Sequence, residues 1–168
     1  NAEALGWTRE GLEHTGGANV WSMMSSDPAR GLLFLPTATA APNNFGGNRP
    51  GDNRYANSVV ALRAADGTVV WHFQIVHHDV WDLDLPAQPI LVDLKRNGKL
   101  LPVVIQLTKQ GLIFVLNRET GEPVFPVEER PVPTDGVPGE VLSPTQPFPV
   151  RPAPLGVARY TPEQAWGF

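Results

Sequence analysis

Apolar runs of strand length alternate with turn signals along most of the chain, and no long stretch repeats its apolar positions with a helical period of 3.6 residues. Val20–Ser25 and Leu32–Thr37 flank the turn Asp-Pro-Ala-Arg-Gly. Asn57–Arg63 and Thr68–Gln74 flank Ala-Ala-Asp-Gly, a tight hairpin signal. Pro89–Asp93 and Pro102–Leu107 flank Lys-Arg-Asn-Gly-Lys, and Leu112–Asn117 and Pro123–Val127 flank Arg-Glu-Thr-Gly-Glu. The pattern predicts eight strands, almost all in hairpins.

Two of the hairpins resemble each other. SVVALRAADGTVVW (58–71) aligns with LIFVLNRETGEPVF (112–125), so that Gly67 matches Gly121, Leu62 matches Leu116 and Trp71 matches Phe125. The spacing of 54 residues is within the range of propeller blades. An aromatic that closes each unit can dock between adjacent sheets and bury a large area. Eight strands make about two four-stranded blades, whereas a propeller closes with about four to eight. The fold class expected is all-β, an incomplete β-propeller spanning residues 1–125.

From Pro126 the sequence changes character. Residues 126–162 are rich in proline, have no clean period, and read as an extended arm running over other structure, with Val, Leu and Phe at intervals to dock it. Thr161 is placed as an N-cap before Pro162, with Gln164 available for a capping box, so 161–166 predicts the start of a short helix. Residues 126–168 are assigned to the same domain as the blades.

Composition narrows the classes. In 168 residues, 42% are hydrophobic and 18% charged, which suits a packed core. Eighteen prolines and sixteen glycines suit short strands joined by turns. The net charge of −4, with no basic block, argues against nucleic acid as a partner. No apolar run approaches the roughly 20 residues of a membrane-spanning helix. With no cysteine, the chain has no disulfide, thiolate metal site or cysteine nucleophile. It opens without methionine, ends at Trp-Gly-Phe, and reads as an internal piece of something longer or as a processed product.

The densest chemistry lies in Val-His-His-Asp-Val-Trp-Asp-Leu-Asp-Leu-Pro (76–86). It can be a metal site, a catalytic site or a polar turn. In an extended conformation Asp82 and Asp84 share one face, while Trp81, Leu83 and Leu85 share the structural face. Carboxylates suit a hard cation such as calcium, or general-base work near a hydroxyl. His77, His78 and His14 would suit zinc or another transition metal, but adjacent histidines point to opposite faces of a strand. Taken alone, Trp21 is as readily a core residue and Lys109 a solvated turn residue. No dinucleotide fingerprint, P-loop, nucleophile elbow or His-Glu-x-x-His motif is present.

The segments GGANVWSMMSSDPARGLLFLPT, RPGDNRYANSVVALRAADGTVVWHFQIVHHDVWDLDLPAQP, TKQGLIFVLNRETGEP and PVEERPVP…PTQPFP resemble the pyrroloquinoline-quinone-dependent dehydrogenases, especially the membrane glucose and quinate dehydrogenase branch. The likeness covers nearly the whole chain, and His-His-Asp-x-Trp-Asp followed by Pro-Ala-Gln-Pro is its most specific part. It implies an eight-bladed propeller with the quinone (PQQ) and a calcium ion near its axis, of which this chain supplies a middle-to-late portion.

Residue by residue, the resemblance makes Asp82 the catalytic base and a neighbour of calcium. Trp21 becomes the platform under the quinone ring and Lys109 the cation on the quinone oxygens. Asn19 becomes a polar cofactor contact. Where the family supplies an asparagine ligand to calcium, Thr39 stands here, and Asn43 replaces an aspartate that follows it. The resemblance further implies oxidation of a sugar, polyol or cyclic alcohol, with hydride transfer to the quinone. It implies a periplasmic location, anchoring through a segment absent here, electron delivery to membrane quinone, and an isolated piece that is inactive. Two other readings compete: a non-catalytic propeller scaffold that binds protein partners, and a zinc or iron hydrolase built on the histidines.

Overall fold

A computed structural model describes residues 7–156 and 161–164. The described residues begin with a short helix, α1 (Arg9–His14), whose N-cap Thr8 accepts the Gly11 amide at 2.9 Å. Six residues are too few to produce a visible apolar period, so the sequence pattern does not reveal this helix. Strand β1 (Gly16–Gly17) then pairs with β4 (Ala40–Ala41).

Two antiparallel sheets form the body. The first has the order β2-β3-β5-β6, from β2 (Ser25–Asp27), β3 (Leu32–Pro36), β5 (Ser58–Arg63) and β6 (Val69–Gln74). The second has the order β7-β8-β9, from β7 (Ile90–Arg96), β8 (Lys99–Leu107) and β9 (Ile113–Asn117). Its fourth strand is reduced to a bridge from Pro123 to Leu116 and a bond from the Val124 amide to the Val115 carbonyl at 2.8 Å.

The repeat seen in the sequence recurs in the hydrogen bonds. In the first hairpin the Arg63 amide bonds the Thr68 carbonyl and the Gly67 amide bonds the Arg63 carbonyl. In the second, Asn117 bonds Glu122 and Gly121 bonds Asn117, with the same polarity. Both glycines have positive φ, +72° and +76°, the left-handed conformation that glycine adopts without a Cβ clash.

Trp71 joins the sheets. It lies within β6, is 8% exposed, and donates its indole N–H to the Arg118 carbonyl at 3.1 Å. Its ring lies on Gly121, where an added Cβ would fall 2.6 Å from the indole Cδ2. Phe34, Val59, Ala61, Val104, Phe114 and Leu116 pack with it in one core. Arg118 adds an ionic tie between sheets, reaching Asp27 Oδ2 at 2.8 Å, and this pairing holds the Asp27 carboxyl below its ordinary pKa. Phe125, at the matching place in the second unit, is half-buried beneath the Arg96 guanidinium, 5.1 Å from its ring centroid.

Three expectations change. The first strand is only Ser25–Asp27, because the register set by the Asp27–Leu32 pair would put Met23 opposite Pro36, which has no N–H to share. The strand expected over Pro123–Val127 divides at Pro126 into the bridge just described and β10 (Val127–Pro131). The arm is not simply extended: β10 pairs with β11 (Thr145–Pro149) over five residue pairs. Both are edge strands, where proline is tolerated, and Pro131, Pro147 and Pro149 hide the alternation that marks a strand. At the other end, Pro162–Gln164 form a 3-10 turn with Gln164 Oε1 accepting the Thr161 amide at 2.9 Å, half of the expected capping box. The rest of that expected helix, Ala165 and Trp166, lies outside the described residues.

Candidate active site

The connection from β6 to β7 carries the crowded polar run, and it is wound around one carboxylate. Asp79 is 2% exposed. Its Oδ2 accepts the Leu83 amide at 2.7 Å, Asn57 Nδ2 at 2.8 Å and the Thr39 hydroxyl, while Oδ1 accepts the Trp81 amide at 2.9 Å. A buried carboxylate with four donors is well satisfied, and its bonds to residues two and four positions ahead turn the backbone. Arg49, wholly buried, donates to the Asp79 carbonyl and to Asn53 Oδ1. Burial pulls the Arg49 guanidinium down from its ordinary pKa, against the opposing charges of Asp79 and Glu140.

This winding corrects the strand-like reading of residues 79–85. The alternation fails because Asp79 holds both Trp81 and Leu83 by their amides. Leu85 does enter the core, at 1% exposure, but Trp81 is 72% exposed. Asp82 is left at the tip of the turn with φ of +56°, a conformation costly for a residue with a Cβ and concentrated at functional sites.

Lys109 meets this tip from the second sheet, in the Thr108–Gly111 turn that joins β8 to β9. Its ammonium donates to Asp82 Oδ2 at 3.2 Å, to Asp84 Oδ2 at 2.9 Å and to the Asp82 carbonyl at 2.5 Å. Asn43, from the β4–β5 connection, donates Nδ2 to Asp82 Oδ1 at 2.7 Å. Asp84 also accepts the Thr39 amide at 2.7 Å. Burial would raise the Asp84 pKa, but the Thr39 amide and the Lys109 ammonium outweigh it and hold the carboxyl below its ordinary value. Desolvation likewise opposes the charge on Lys109, and the two aspartates more than offset it, so its pKa is raised.

Of the residues singled out in the sequence, Asp82 and Lys109 therefore meet, at a half-exposed corner shared by the two sheets. Trp21 is 56% exposed, and the next residue, Ser22, donates to the Leu85 carbonyl at 3.4 Å, three positions along the chain from Asp82. Asn19 is exposed and uses its carbonyl to accept the Ala38 amide at 2.9 Å. Thr39 is 3% exposed, with its hydroxyl donating to Asp79 and accepting from Asn57 at 3.1 Å. It borders the corner through its main chain.

The histidines diverge. His77 engages Glu129 at 3.1 Å and Gln74 at 3.2 Å, and His78 engages Glu140 at 2.8 Å and the Gly51 carbonyl at 2.7 Å, so both rings use both nitrogens, on different partners. Among the described residues no three His, Asp or Glu side chains converge as a metal cluster.

Sequence reasoning missed Asp79, Arg49 and Glu140, all of whose roles depend on partners distant in the chain. An exposed indole, a cation and an adjacent carboxylate suit a flat, electron-poor cofactor such as a quinone. For a hard cation the chain offers the Asp82 carboxylate, while the Thr39 hydroxyl is already engaged with Asp79 and Asn57.

Comparison with known proteins agrees with the fold. The family model "PQQ: Glucose/ethanol/alcohol dehydrogenase, beta-propeller domain" matches residues 1–168. The chain is 46% identical over 140 residues to the quinoprotein glucose dehydrogenase of Escherichia coli (strain K12), covering 81% of this chain and 18% of that protein. It is 40% identical over 151 residues to the quinate/shikimate dehydrogenase (quinone) of Acinetobacter baylyi, covering 89% and 19%. Among solved structures, the quinohemoprotein alcohol dehydrogenase from Comamonas testosteroni superposes with a TM-score of 0.68 at 29% identity, over 89% of this chain and 22% of that one. The chain thus spans about a fifth of the length of the curated relatives it matches. It belongs to the family of PQQ-dependent glucose, ethanol and alcohol dehydrogenases, as part of their β-propeller.

Proposed function

We propose that this chain supplies one side of the active site of a quinoprotein dehydrogenase that oxidises the hydroxyl group of a sugar, polyol or cyclic alcohol, with Asp82 as general base. The observation that carries the reading is the Asp82–Lys109 contact: a carboxylate held outward at positive φ, with an ammonium 3.2 Å away. PQQ, when bound, would supply the acceptor for the hydride, and calcium would add Lewis-acid polarisation. Trp21 would form the floor under the ring, Lys109 would hold its oxygens, and Asn19 would add a polar contact. Asp82 would take the alcohol proton on its carboxylate, which Asn43 orients through Oδ1 and Lys109 through Oδ2. Asp82 would also be a calcium ligand, and Thr39 could join only through the hydroxyl lone pair left after its bond from Asn57.

Four further parts of the proposal rest on the resemblance: a periplasmic location, membrane anchoring through a segment beyond this chain, electron delivery to membrane quinone, and inactivity of this chain by itself. The test uses the full-length gene product, supplied with PQQ and calcium and assayed by dye reduction with glucose, glycerol and quinate. Asp82→Asn is expected to lower kcat roughly 10²- to 10⁴-fold, the range for loss of a positioned general base. Full activity in that variant would sink the assignment.

A further inference from the structure

Beside the Asp82–Lys109 corner lies a cavity of about 480 Å³ between the loop and the arm. Trp81 and Gln110, the immediate chain neighbours of Asp82 and Lys109, both line it, and so do Val132, Leu142 and Phe148 of the arm. A second cavity, of about 560 Å³, is also lined by Trp81 and shares Leu142 and Asp135 with the first. Both are within the roughly 300–1,000 Å³ typical of small-molecule sites.

The main chain around the cavity is held in place. The Asp79 carboxylate holds the Trp81 amide at 2.9 Å and so anchors the backbone that carries this largely exposed residue, next to the candidate base. The arm opposite is clasped to the same loop: Glu140 bonds His78, and Gln146 exchanges two hydrogen bonds with the His77 main chain at 2.8 and 2.7 Å. The lining combines an indole and aliphatic side chains with an exposed amide, Gln110, and an exposed carboxylate, Asp135.

Resting on the dehydrogenase reading above, we propose that Trp81 and the arm form the specificity wall of the site, selecting substrates whose reacting hydroxyl sits on a polyhydroxylated six-membered ring. The C–H face of such a ring is apolar and weakly electropositive, and it complements the negative face of the indole. Its peripheral hydroxyls meet Gln110 and Asp135. A short acyclic alcohol can reach Asp82 without covering Trp81. Trp81 is thus a binding residue for the ring, distinct from the proton-accepting role of Asp82.

The experiment compares kcat/KM for glucose and for glycerol in the full-length, quinone-loaded protein and in its Trp81→Ala and Trp81→Phe variants. Loss of one stacked aromatic contact is expected to lower the glucose-to-glycerol ratio by roughly 10- to 100-fold in Trp81→Ala, mainly through KM. Trp81→Phe should restore most of it. Titrating glucose into the quinone-free protein should change the intrinsic fluorescence of the parent but not of Trp81→Ala. An unchanged ratio in a protein that oxidises both substrates overturns the wall and leaves the dehydrogenase reading standing. An unchanged ratio with a lowered melting temperature also overturns it, and identifies another segment of the polypeptide as the occupant. If the parent oxidises neither substrate, the dehydrogenase reading fails first and this inference fails with it.

Discussion

Lys109 Nζ lies 3.2 Å from Asp82 Oδ2, although one residue belongs to a turn of the second sheet and the other to the connection between sheets. The contact depends on the docking of two propeller units, because Trp71 and Arg118 set how those sheets meet. A corner built this way inherits its precision from the core rather than from local chain stiffness.

Replacing Lys109 should affect both chemistry and stability. Its side chain is only about a third exposed, and it pairs with the buried Asp84 carboxylate at 2.9 Å. Lys109→Ala is expected to reduce kcat/KM of the full-length protein roughly 10²- to 10³-fold, as for other preorganised donors, and to lower the melting temperature, because Asp84 is left without its cation. Lys109→Arg should recover part of the loss. Steady-state kinetics alongside thermal melts would check this, and a fully active alanine variant would contradict the role.

The pair with Asp84 has a calculable pH signature. The Asp84 carboxyl sits below its ordinary value of 3.8, so its contribution to stability is present above that value and lost as pH falls through the lower folded pKa. Lys109 sits above 10.5, so its contribution is present below that value and lost as pH rises through the higher folded pKa. The difference in melting temperature between the parent and Asp84→Asn should be flat from about pH 5 to pH 9 and shrink below about pH 4. A difference that grows on acidification would reverse the sign and discard the pairing.

Local signals were legible in the sequence and remote ones were not. Gly67 and Gly121 announced two equivalent hairpins because a turn requiring positive φ is written in adjacent residues. The polar run 76–86 marked Asp82 as candidate chemistry, and the family resemblance singled out Asp82 and Lys109 in separate roles, so their direct contact came only with the structure. Asp79 stayed hidden because its function is to gather Thr39 and Asn57, which are 40 and 22 residues away along the chain. Glu140, set in a proline-rich stretch that gave no period, acquires meaning only from His78, 62 residues earlier. Trp81 was assigned to the wrong face because alternation presumes a strand, and the Asp79 carboxylate turns the backbone there.

Gly121 offers a test of the sheet-to-sheet joint. Alanine there would set its Cβ 2.6 Å from Trp71 Cδ2, and the backbone at φ of +76° adds strain for any L residue. The indole cannot retreat without breaking its bond to the Arg118 carbonyl. Gly121→Ala is expected to cost about 2–4 kcal/mol of stability, whereas Gly67→Ala, with open space around its Cβ, should cost only the backbone part. Equal effects in denaturant melts of the two variants would show that Trp71 does not dock on Gly121.

Asp79 separates positioning from catalysis. An asparagine there keeps the shape but offers one acceptor oxygen where the carboxylate has two, and its amide hydrogens would face the Trp81 amide or the Leu83 and Asn57 donors. Arg49 would also lose a buried counter-charge. The Asp79→Asn protein should be less stable by about 3 kcal/mol or more, and the turn that presents Asp82 should loosen. Activity should fall through kcat, as expected of a residue that positions the proposed base. Asp82→Asn should lower kcat at least as far with little change in stability, since its side chain is nearly half exposed. If Asp79→Asn instead abolished activity and left the melting temperature unchanged, the two aspartates would have to exchange roles, and the base would be the buried residue.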